Sequence, residues 1–352
     1  MYPVNILYRQ SAFPILQNRV YDTPEEAIKC PSGDIELVED SSTGLVYNTA
    51  FQPETMIYDS NYNNEQALSS HFRQHLEQVS QLIEAKLGRD ELVEVGCGKG
   101  FFLEMLADKG FDITGFDPAY EGDNDRVVRA YFSPSLMRSA KAIVLRHVLE
   151  HVQDPVDFLE QLKYANGGKG KIYIEVPCFD WICEHRAWFD IFYEHVNYFR
   201  LTDFDRIFGR VIESGRIFGG QYLYVIADLS TVQKPCINLN ERVIFPEDFT
   251  CCLAGQIGSE ATKIAIWGGA SKGVIFSLLK ARTGQVIDMA IDINPAKQGK
   301  YLPGSALPVL SPDQAMRRLP PASTIYVMNS NYMDEIRKLT LNQYKLIGID
   351  HE

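Results

Sequence analysis

The stretch Glu94-Val95-Gly96-Cys97-Gly98-Lys99-Gly100 constrains this chain more than any other. It closes a short apolar run, Leu92 to Val95, that reads as a strand, and it leads directly into Phe101 to Leu106, patterned as a helix. The unit is strand, glycine turn, helix. Glycines at alternate positions let the backbone turn tightly with positive φ, and they let a ligand lie against it without meeting a β-carbon. The acidic residue ahead of them points to a cationic group on that ligand. The dinucleotide fingerprint G-x-G-x-x-G would place its third glycine at 101, where Phe101 stands, and this weakens a dinucleotide reading. A second apolar run, Phe111 to Phe116, ends in Asp117, 21 residues beyond Gly96. That is the spacing at which a Rossmann-like unit receives ribose hydroxyls. An ordinary α/β turn with a surface aspartate would leave these residues idle; together with the flanking strand and helix they favour a nucleoside cofactor.

The rest of the chain repeats the alternation. Val127 to Phe132, Ala142 to Leu145 and Lys171 to Val176 read as further strands, and Val156 to Leu162 as a helix, so an α/β fold with a doubly wound parallel sheet is expected, with ligands beyond the strands' carboxyl ends. Residues 1–75 read as a small β-rich lobe that buries little core alone, 76–230 as the nucleoside-binding domain, 231–262 as a connector and 263–352 as a second Rossmann-like domain. Tyr62, in the Tyr- and Asn-rich run 58–64, reads equally as a ligand contact or as part of a solvated loop. Arg210 to Asp228 reads as a hairpin turning at Gly219-Gly220, and a connector helix is expected from near Pro246 to about Ile257, with Cys251-Cys252 packed in it. In the last domain, the strand Ile264 to Trp267, the turn Gly268-Gly269-Ala270-Ser271-Lys272-Gly273 and the helix Val274 to Leu279 precede a strand, Val286 to Ile291, that delivers Asp292. This turn resembles the NAD-type G-x-A-x-x-G, and its amides with Ser271 and Lys272 suit a phosphate or carboxylate; an empty structural turn is the competing reading.

A net charge of −12 and a pI near 5.1 argue against nucleic acid or an anionic membrane as the main partner. No apolar run approaches the length of a membrane span and no secretory pattern opens the chain, so a cytoplasmic protein acting on a small molecule, as monomer or homodimer, is expected. The seven cysteines are odd in number and irregularly spaced, which is no disulfide framework.

Two polar clusters carry chemistry. His147-Val148-Leu149-Glu150-His151 matches H-x-x-E-H, a zinc-hydrolase signature whose histidines, four apart, could share one helical face. Its place after a buried strand of a nucleotide-binding sheet argues against that reading, and no metal is expected. Phe189 to Phe199 concentrates His195, Glu194, Asp190, Tyr193, Asn197 and Tyr198 among large apolar residues. A histidine titrating near neutrality suits proton removal from a weak carbon or hydroxyl acid, and a packed aromatic segment is the alternative.

The order E-x-G-x-G-x-G at 94–100 resembles motif I of class I S-adenosylmethionine-dependent methyltransferases, and H-V-L-E-H-V-x-D-P resembles the segment after their fourth strand. With G-G-A-S-K-G at 268–273 and D-I-N-P-A-K-Q-G-K-Y-L-P-G at 292–304, the chain resembles the three-domain C-methyltransferases of deoxysugar nucleotides. The resemblance implies a class I S-adenosylmethionine domain, a Rossmann-like last domain that helps close the substrate site, and a zinc-binding amino-terminal lobe. It implies that Glu94 holds the methionine amino end, that Gly96, Gly98 and Gly100 pass beneath the cofactor, and that Asp117 takes the ribose. Tyr131 and Phe132 would flank the adenine, and Arg146 and His147 would border methyl transfer. His195 would be the base that deprotonates a nucleotide-linked keto-sugar, oriented or charged by Glu194, with Tyr193 nearby; Tyr62, Asn197, Tyr198, Ser271, Lys272 and Asn331 would face the substrate. The chain departs from that family in several places. It has no C-x-x-C anywhere, and Asp40 and Thr43 stand where lobe cysteines are expected, so a lobe zinc site is not expected. Phe192 stands where a catalytic tyrosine precedes the Glu-His pair, Gln221-Tyr222-Leu223 follows the glycine pair in place of Ser and Arg, and Asn63-Asn64-Glu65-Gln66 replaces a serine-rich stretch. The acceptor is therefore left open. An O- or N-methyltransferase, an NAD-binding oxidoreductase and a non-catalytic assembly partner are the rival readings.

Overall fold

The computed structural model describes residues 5–57, 62, 67–136, 139–257 and 263–350, and arranges them around three sheets. The first contains β1 (Asn5–Pro14), β2 (Ser32–Glu39) and β3 (Val46–Asn48), all antiparallel, with a short helix α1 (Pro24–Ile28) between the first two. Helix α2 (Ser70–Leu87) comes next, its free amides capped by the Ser69 hydroxyl, so the boundary expected between residues 75 and 76 falls inside it. The sequence 63–66 lies outside the described residues.

The second sheet takes β4 (Leu92–Val95), α3 (Phe101–Asp108), β5 (Ile113–Phe116), β6 (Val127–Val128), β7 (Ala142–Arg146), α4 (Pro155–Ala165) and β8 (Lys171–Pro177). After β8 the chain runs through α5 (Phe179–Glu184), β9 (Asn197–Tyr198), α6 (Leu201–Ile207) and the hairpin β10 (Val211–Ile217) and β11 (Tyr222–Asp228). The strand order is β10-β11-β8-β7-β4-β5-β6, parallel from β8 to β6, with the hairpin closing one edge antiparallel. All four residues of β4 are buried, as is the apolar Ala142–Leu145 of β7; central parallel strands covered on both faces read as such continuous apolar runs. Strand β9 leaves this sheet and pairs with β3, giving the first sheet the order β1-β2-β3-β9. The amino-terminal lobe is thus completed by the segment that carries His195.

The third sheet is all parallel: β12 (Ile264–Trp267), α7 (Ser271–Arg282), β13 (Met289–Ile291), β14 (Val309–Leu310), α8 (Pro312–Arg318), β15 (Thr324–Val327), α9 (Met333–Leu339) and β16 (Lys345–Gly348), in the order β14-β13-β12-β15-β16. It leans on the lobe, where Arg282 donates to the Ser11 and Ala12 carbonyls (2.8 and 2.7 Å) and the Tyr21 and Tyr301 backbones exchange hydrogen bonds. None of the helices among the described residues is long and apolar enough to cross a membrane.

Three expectations are corrected. No α-helix forms over 246–257; the segment makes successive i→i+3 turns, and the buried Lys280 ammonium donates to its carbonyls of Cys252, Leu253 and Gly255 (2.9, 3.0 and 2.9 Å). Cys251 and Cys252 are accordingly exposed instead of packed. The strands expected at 127–132 and 286–291 shorten to Val127–Val128 and Met289–Ile291.

The last glycine of the second turn is set by contact. A β-carbon on Gly273 would lie 1.9 Å from the Gly268 carbonyl oxygen, so α7 can start against β12 only if this position has no side chain. Gly273→Ala is expected to cost at least about 2 kcal/mol, read as a lower urea midpoint for the unit around β12; an unchanged midpoint would show that the turn relaxes freely.

Candidate functional site

The turn after β4 carries three glycines with positive φ: Gly96 (72°), Gly98 (55°) and Gly100 (80°). A β-carbon at Gly96 would meet Val148 Cγ2 at 2.4 Å, whereas one at Gly98 would meet nothing within 4 Å. Gly98 therefore faces open space. Its amide donates to Asp117 Oδ2 and the Ala119 amide to Oδ1, each at 2.8 Å, so the loops after β4 and β5 are latched by one carboxylate whose oxygens each retain a lone pair. Glu94 is 3% exposed, and its Oε2 has no hydrogen-bond partner among the described residues. Burial pushes its carboxyl up to about 7; Arg146 opposes the shift and Asp117 adds to it. A buried carboxylate with an orphan oxygen calls for a cation, and a glycine turn open at Gly98 calls for a flat ligand. These residues fit S-adenosylmethionine, with Glu94 for its ammonium and Asp117 for its ribose. Phe132 is buried edge-on against Phe116 (5.0 Å), while Tyr131 is 77% exposed, so the structure packs one of the expected pair and leaves the other in solvent.

Arg146 and His147 belong to a buried network. Glu175 accepts from Arg146 (3.0 and 3.3 Å), His147 Nε2 (3.1 Å), His75 Nε2 (2.9 Å) and the Tyr173 hydroxyl (2.7 Å). Burial alone would raise its carboxyl, but the Arg146 guanidinium, followed by the two histidines, holds it well below the usual range. Arg146 lies over the Phe102 ring (4.6 Å). His147, at φ 51°, also places Nδ1 3.3 Å from Glu150 Oε1. Burial works against its charge, yet the bonds to Glu150 and Glu175 outweigh that and raise it to about 9. The H-x-x-E-H segment is thus no zinc helix. Leu149–His151 forms a single 3₁₀ turn, and His147 is committed to two carboxylates.

Beside this network lies a cavity of about 240 Å³, lined on one side by His147, Glu150, His151 and His195 and on the other by Ser271 and Lys272. His151 Nδ1 lies 2.8 Å from the Glu194 carbonyl oxygen; a carbonyl only accepts, so Nδ1 carries a proton and in the neutral ring the lone pair is on Nε2. His195 packs edge-on against His151 (5.0 Å) and Phe192 (4.8 Å). Burial, and next His151, push it down to about 3, so it is neutral at physiological pH.

The other expected site residues divide. Glu194 reaches the cavity, but its carboxylate accepts from the Gln17 amide (2.6 Å) and the Tyr62 hydroxyl (2.8 Å), so the group beside His195 is the ring of His151 and not the carboxylate of its sequence neighbour. Tyr62 also lines the cavity. Ser271 Oγ accepts from Asn18 (3.0 Å), and Lys272 Nζ reaches Asp190 and Gln221, both at 2.9 Å, above the Trp181 ring. Tyr193 is turned away: its hydroxyl accepts from the Gln52 amide (2.9 Å), its ring lies on Phe51, and Gly33 sits against it, so it packs the lobe. Asn197 donates to the Val152 carbonyl (2.5 Å), Tyr198 clamps Phe192 N and O (3.0 Å each), and Asn331 donates to the Phe218 carbonyl (3.0 Å). These three shape the segments around the cavity. Sequence reasoning missed Gln17 and Asn18, which carry no local signal, and it met Glu150 and His151 only as a zinc motif or as part of the segment after the fourth strand, with no site role.

A methyltransferase domain family matches residues 66–211, and a C-methyltransferase C-terminal domain family matches residues 240–345. The chain is an S-adenosylmethionine-dependent methyltransferase. In carrying a methyltransferase domain followed by a C-methyltransferase C-terminal domain it is similar to the C-methyltransferases. It is 26% identical over 309 residues to C-methyltransferase NovU of Streptomyces niveus, spanning 75% of this chain and 72% of that one. Among solved structures it is similar to the PH0226 protein of Pyrococcus horikoshii OT3 (TM-score 0.38, 10% identity, 49% of this chain and 99% of that). It is also similar to the plantazolicin methyltransferase BpumL in complex with S-adenosylhomocysteine (0.36, 16%, 48% and 88%). A third is the 1,6-didemethyltoxoflavin-N1-methyltransferase of Burkholderia thailandensis (0.35, 14%, 52% and 95%).

The raised Glu94 carboxyl gives cofactor binding a pH dependence. In the ligand-free protein this group's stabilising effect is complete below the ordinary carboxylate range and is lost as pH rises through about 7, because the anion is desolvated. A ligand ammonium placed against Glu94 would need that anion. The dissociation constant for S-adenosylhomocysteine, measured calorimetrically, is therefore expected to rise about tenfold per unit below pH 7, and Glu94→Gln to bind weakly with a flat profile. A wild-type affinity independent of pH would remove Glu94 from the ammonium's site. Asp117→Ala is expected to weaken the same binding.

Proposed function

We propose that the protein methylates carbon next to the keto group of a nucleotide-linked sugar, with His195 as the base. The observation that carries this reading is that one cavity is lined both by a neutral, half-buried imidazole and by a second glycine turn furnished for an anion. At that turn, α7 begins at Ser271, Lys272 faces the cavity, and the buried Lys297 ammonium lies 3.3 Å from the Gly269 carbonyl oxygen and 3.2 Å from Asn18 Oδ1. A helix amino terminus flanked by two lysines suits a diphosphate. The sugar would then extend from the diphosphate toward His195.

His195 is in the protonation state a base requires, and the proton it takes leaves an enolate whose carbon is the nucleophile. The low affinity for a proton in the ligand-free cavity comes from burial; an anionic acceptor brings negative charge that favours the imidazolium, as does Glu150, which already acts on His195 in that sense. His151, its Nδ1–H fixed on the Glu194 carbonyl, holds the neighbouring ring in place. Glu194 joins Gln17 and Tyr62 of the lobe to the segment bearing the base. S-adenosylmethionine bound at the first glycine turn supplies an electrophilic methyl group.

Proton removal can be read apart from methyl transfer. With a thymidine-diphosphate 4-keto-sugar and S-adenosylhomocysteine in deuterated buffer, the wild type is expected to exchange the proton adjacent to the keto group, seen by NMR. His195→Asn should lose exchange and turnover by about a hundredfold or more while binding S-adenosylhomocysteine normally. Undiminished exchange in that variant would take His195 out of the mechanism, and no exchange with any keto-sugar nucleotide would remove the proposed acceptor class.

A further inference from the structure

The H-x-x-E-H segment fails to gather its own two histidines, yet the fold assembles a different trio. One ligand atom each from Glu150, His151 and His195 lie within 4.8 Å of one another, and all three residues line the cavity. We propose that Glu150, His151 and His195 form a binding site for a borderline divalent cation such as Zn²⁺ or Co²⁺, and that its occupation silences the base.

Four observations support the site. Glu150 is 1% exposed, and its Oε2 has no hydrogen-bond partner among the described residues, a buried acceptor that a cation would satisfy. Its other oxygen lies 3.3 Å from His147 Nδ1, which holds the carboxylate plane. His151 spends Nδ1 on the Glu194 carbonyl at 2.8 Å, the outer bond that metal-bound imidazoles commonly make, and so presents Nε2. The third ring, His195, stands edge-on to it with centroids 5.0 Å apart. Three atoms at the limiting separation share a centre about 2.8 Å from each, against about 2.1 Å in a zinc site. Side-chain shifts of under about 1 Å would close that gap. Two imidazoles and one carboxylate select a borderline ion over Mg²⁺ or Ca²⁺, which prefer all-oxygen sets. The cavity leaves further coordination positions to solvent.

The cation and the acceptor's proton would compete for the His195 lone pair. The silencing half of the inference therefore rests on the reading of His195 as base; the site itself does not. Titration of the full-length protein with Co²⁺, followed by its visible absorption, separates the two. One equivalent per chain is expected to bind with nitrogen- and oxygen-type bands and without the thiolate charge-transfer band that the free cysteines would give. Glu150→Gln should weaken that binding by about a hundredfold or more, with S-adenosylhomocysteine binding retained as the check on folding, and His151→Gln serves if the first variant does not fold. No stoichiometric Co²⁺ binding, or equal affinity in a folded variant, would overturn the site. Zn²⁺ is further expected to stop keto-sugar proton exchange and EDTA to restore it; exchange that continues in Zn²⁺-loaded protein would overturn the silencing.

Discussion

The structure around the site depends on one buried carboxylate. Glu175, on β8, is inaccessible to solvent, and leaving it unpaired would cost several kcal/mol. The groups that satisfy it come from three other places: His75 from α2, Arg146 from the end of β7, and His147 from the turn beyond it. These bonds tie the helix to the sheet and to His147, whose φ is 51°. Through His147 they also reach Glu150. Pairing the Glu175 carboxylate in this way favours a single arrangement, because any other leaves that charge unpaired in low dielectric.

His195 is mounted on a segment that serves two sheets. The run from Asp190 to Tyr198 begins beneath Lys272 and ends as the fourth strand of the amino-terminal sheet. The Tyr198 hydroxyl closes this loop on Phe192, and Gln17 and Tyr62 of the lobe hold Glu194. Lobe packing and the placement of His195 are therefore one structural event. This explains why the lobe has so little core of its own: its sheet is finished by the domain it covers.

The two glycine turns are built alike. In the first, Asp117 at the end of β5 takes the Gly98 amide; in the second, Asp292 after β13 takes the Gly269 amide at 2.9 Å. Each carboxylate latches a neighbouring loop against the start of a helix, at the carboxyl edge where parallel sheets receive ligands. The turns differ in charge. The first has an unpaired carboxylate, Glu94, beneath it, and the second has Lys272 and Lys297. One suits a ligand with a cationic end and the other an anionic one.

Much of this is legible in the residues themselves, wherever local pattern decides the outcome. Glycine spacing, the run of buried aliphatics and the distance to Asp117 constrain backbone torsions and strand period over a few residues, so the first glycine turn and the parallel sheet can be read directly. Side-chain partners are not legible in this way, because remote segments choose them. The segment 246–257, helical by pattern, turns repeatedly instead, and its carbonyls meet Lys280, which reaches them from α7. Tyr193, adjacent in sequence to Glu194, points into the lobe, while Tyr62, 132 residues away, bonds that glutamate. Glu150 and His151 meet His195 because the segment before β9 bonds to their turn, the Val196 amide donating to the Glu150 carbonyl (2.8 Å) and Asn197 to the Val152 carbonyl. Torsion and periodicity are local properties of the chain, and they suffice for the class of fold and the cofactor turn. The reactive site is selected by packing, which brings distant polar groups into one low-dielectric cavity where each must find a partner.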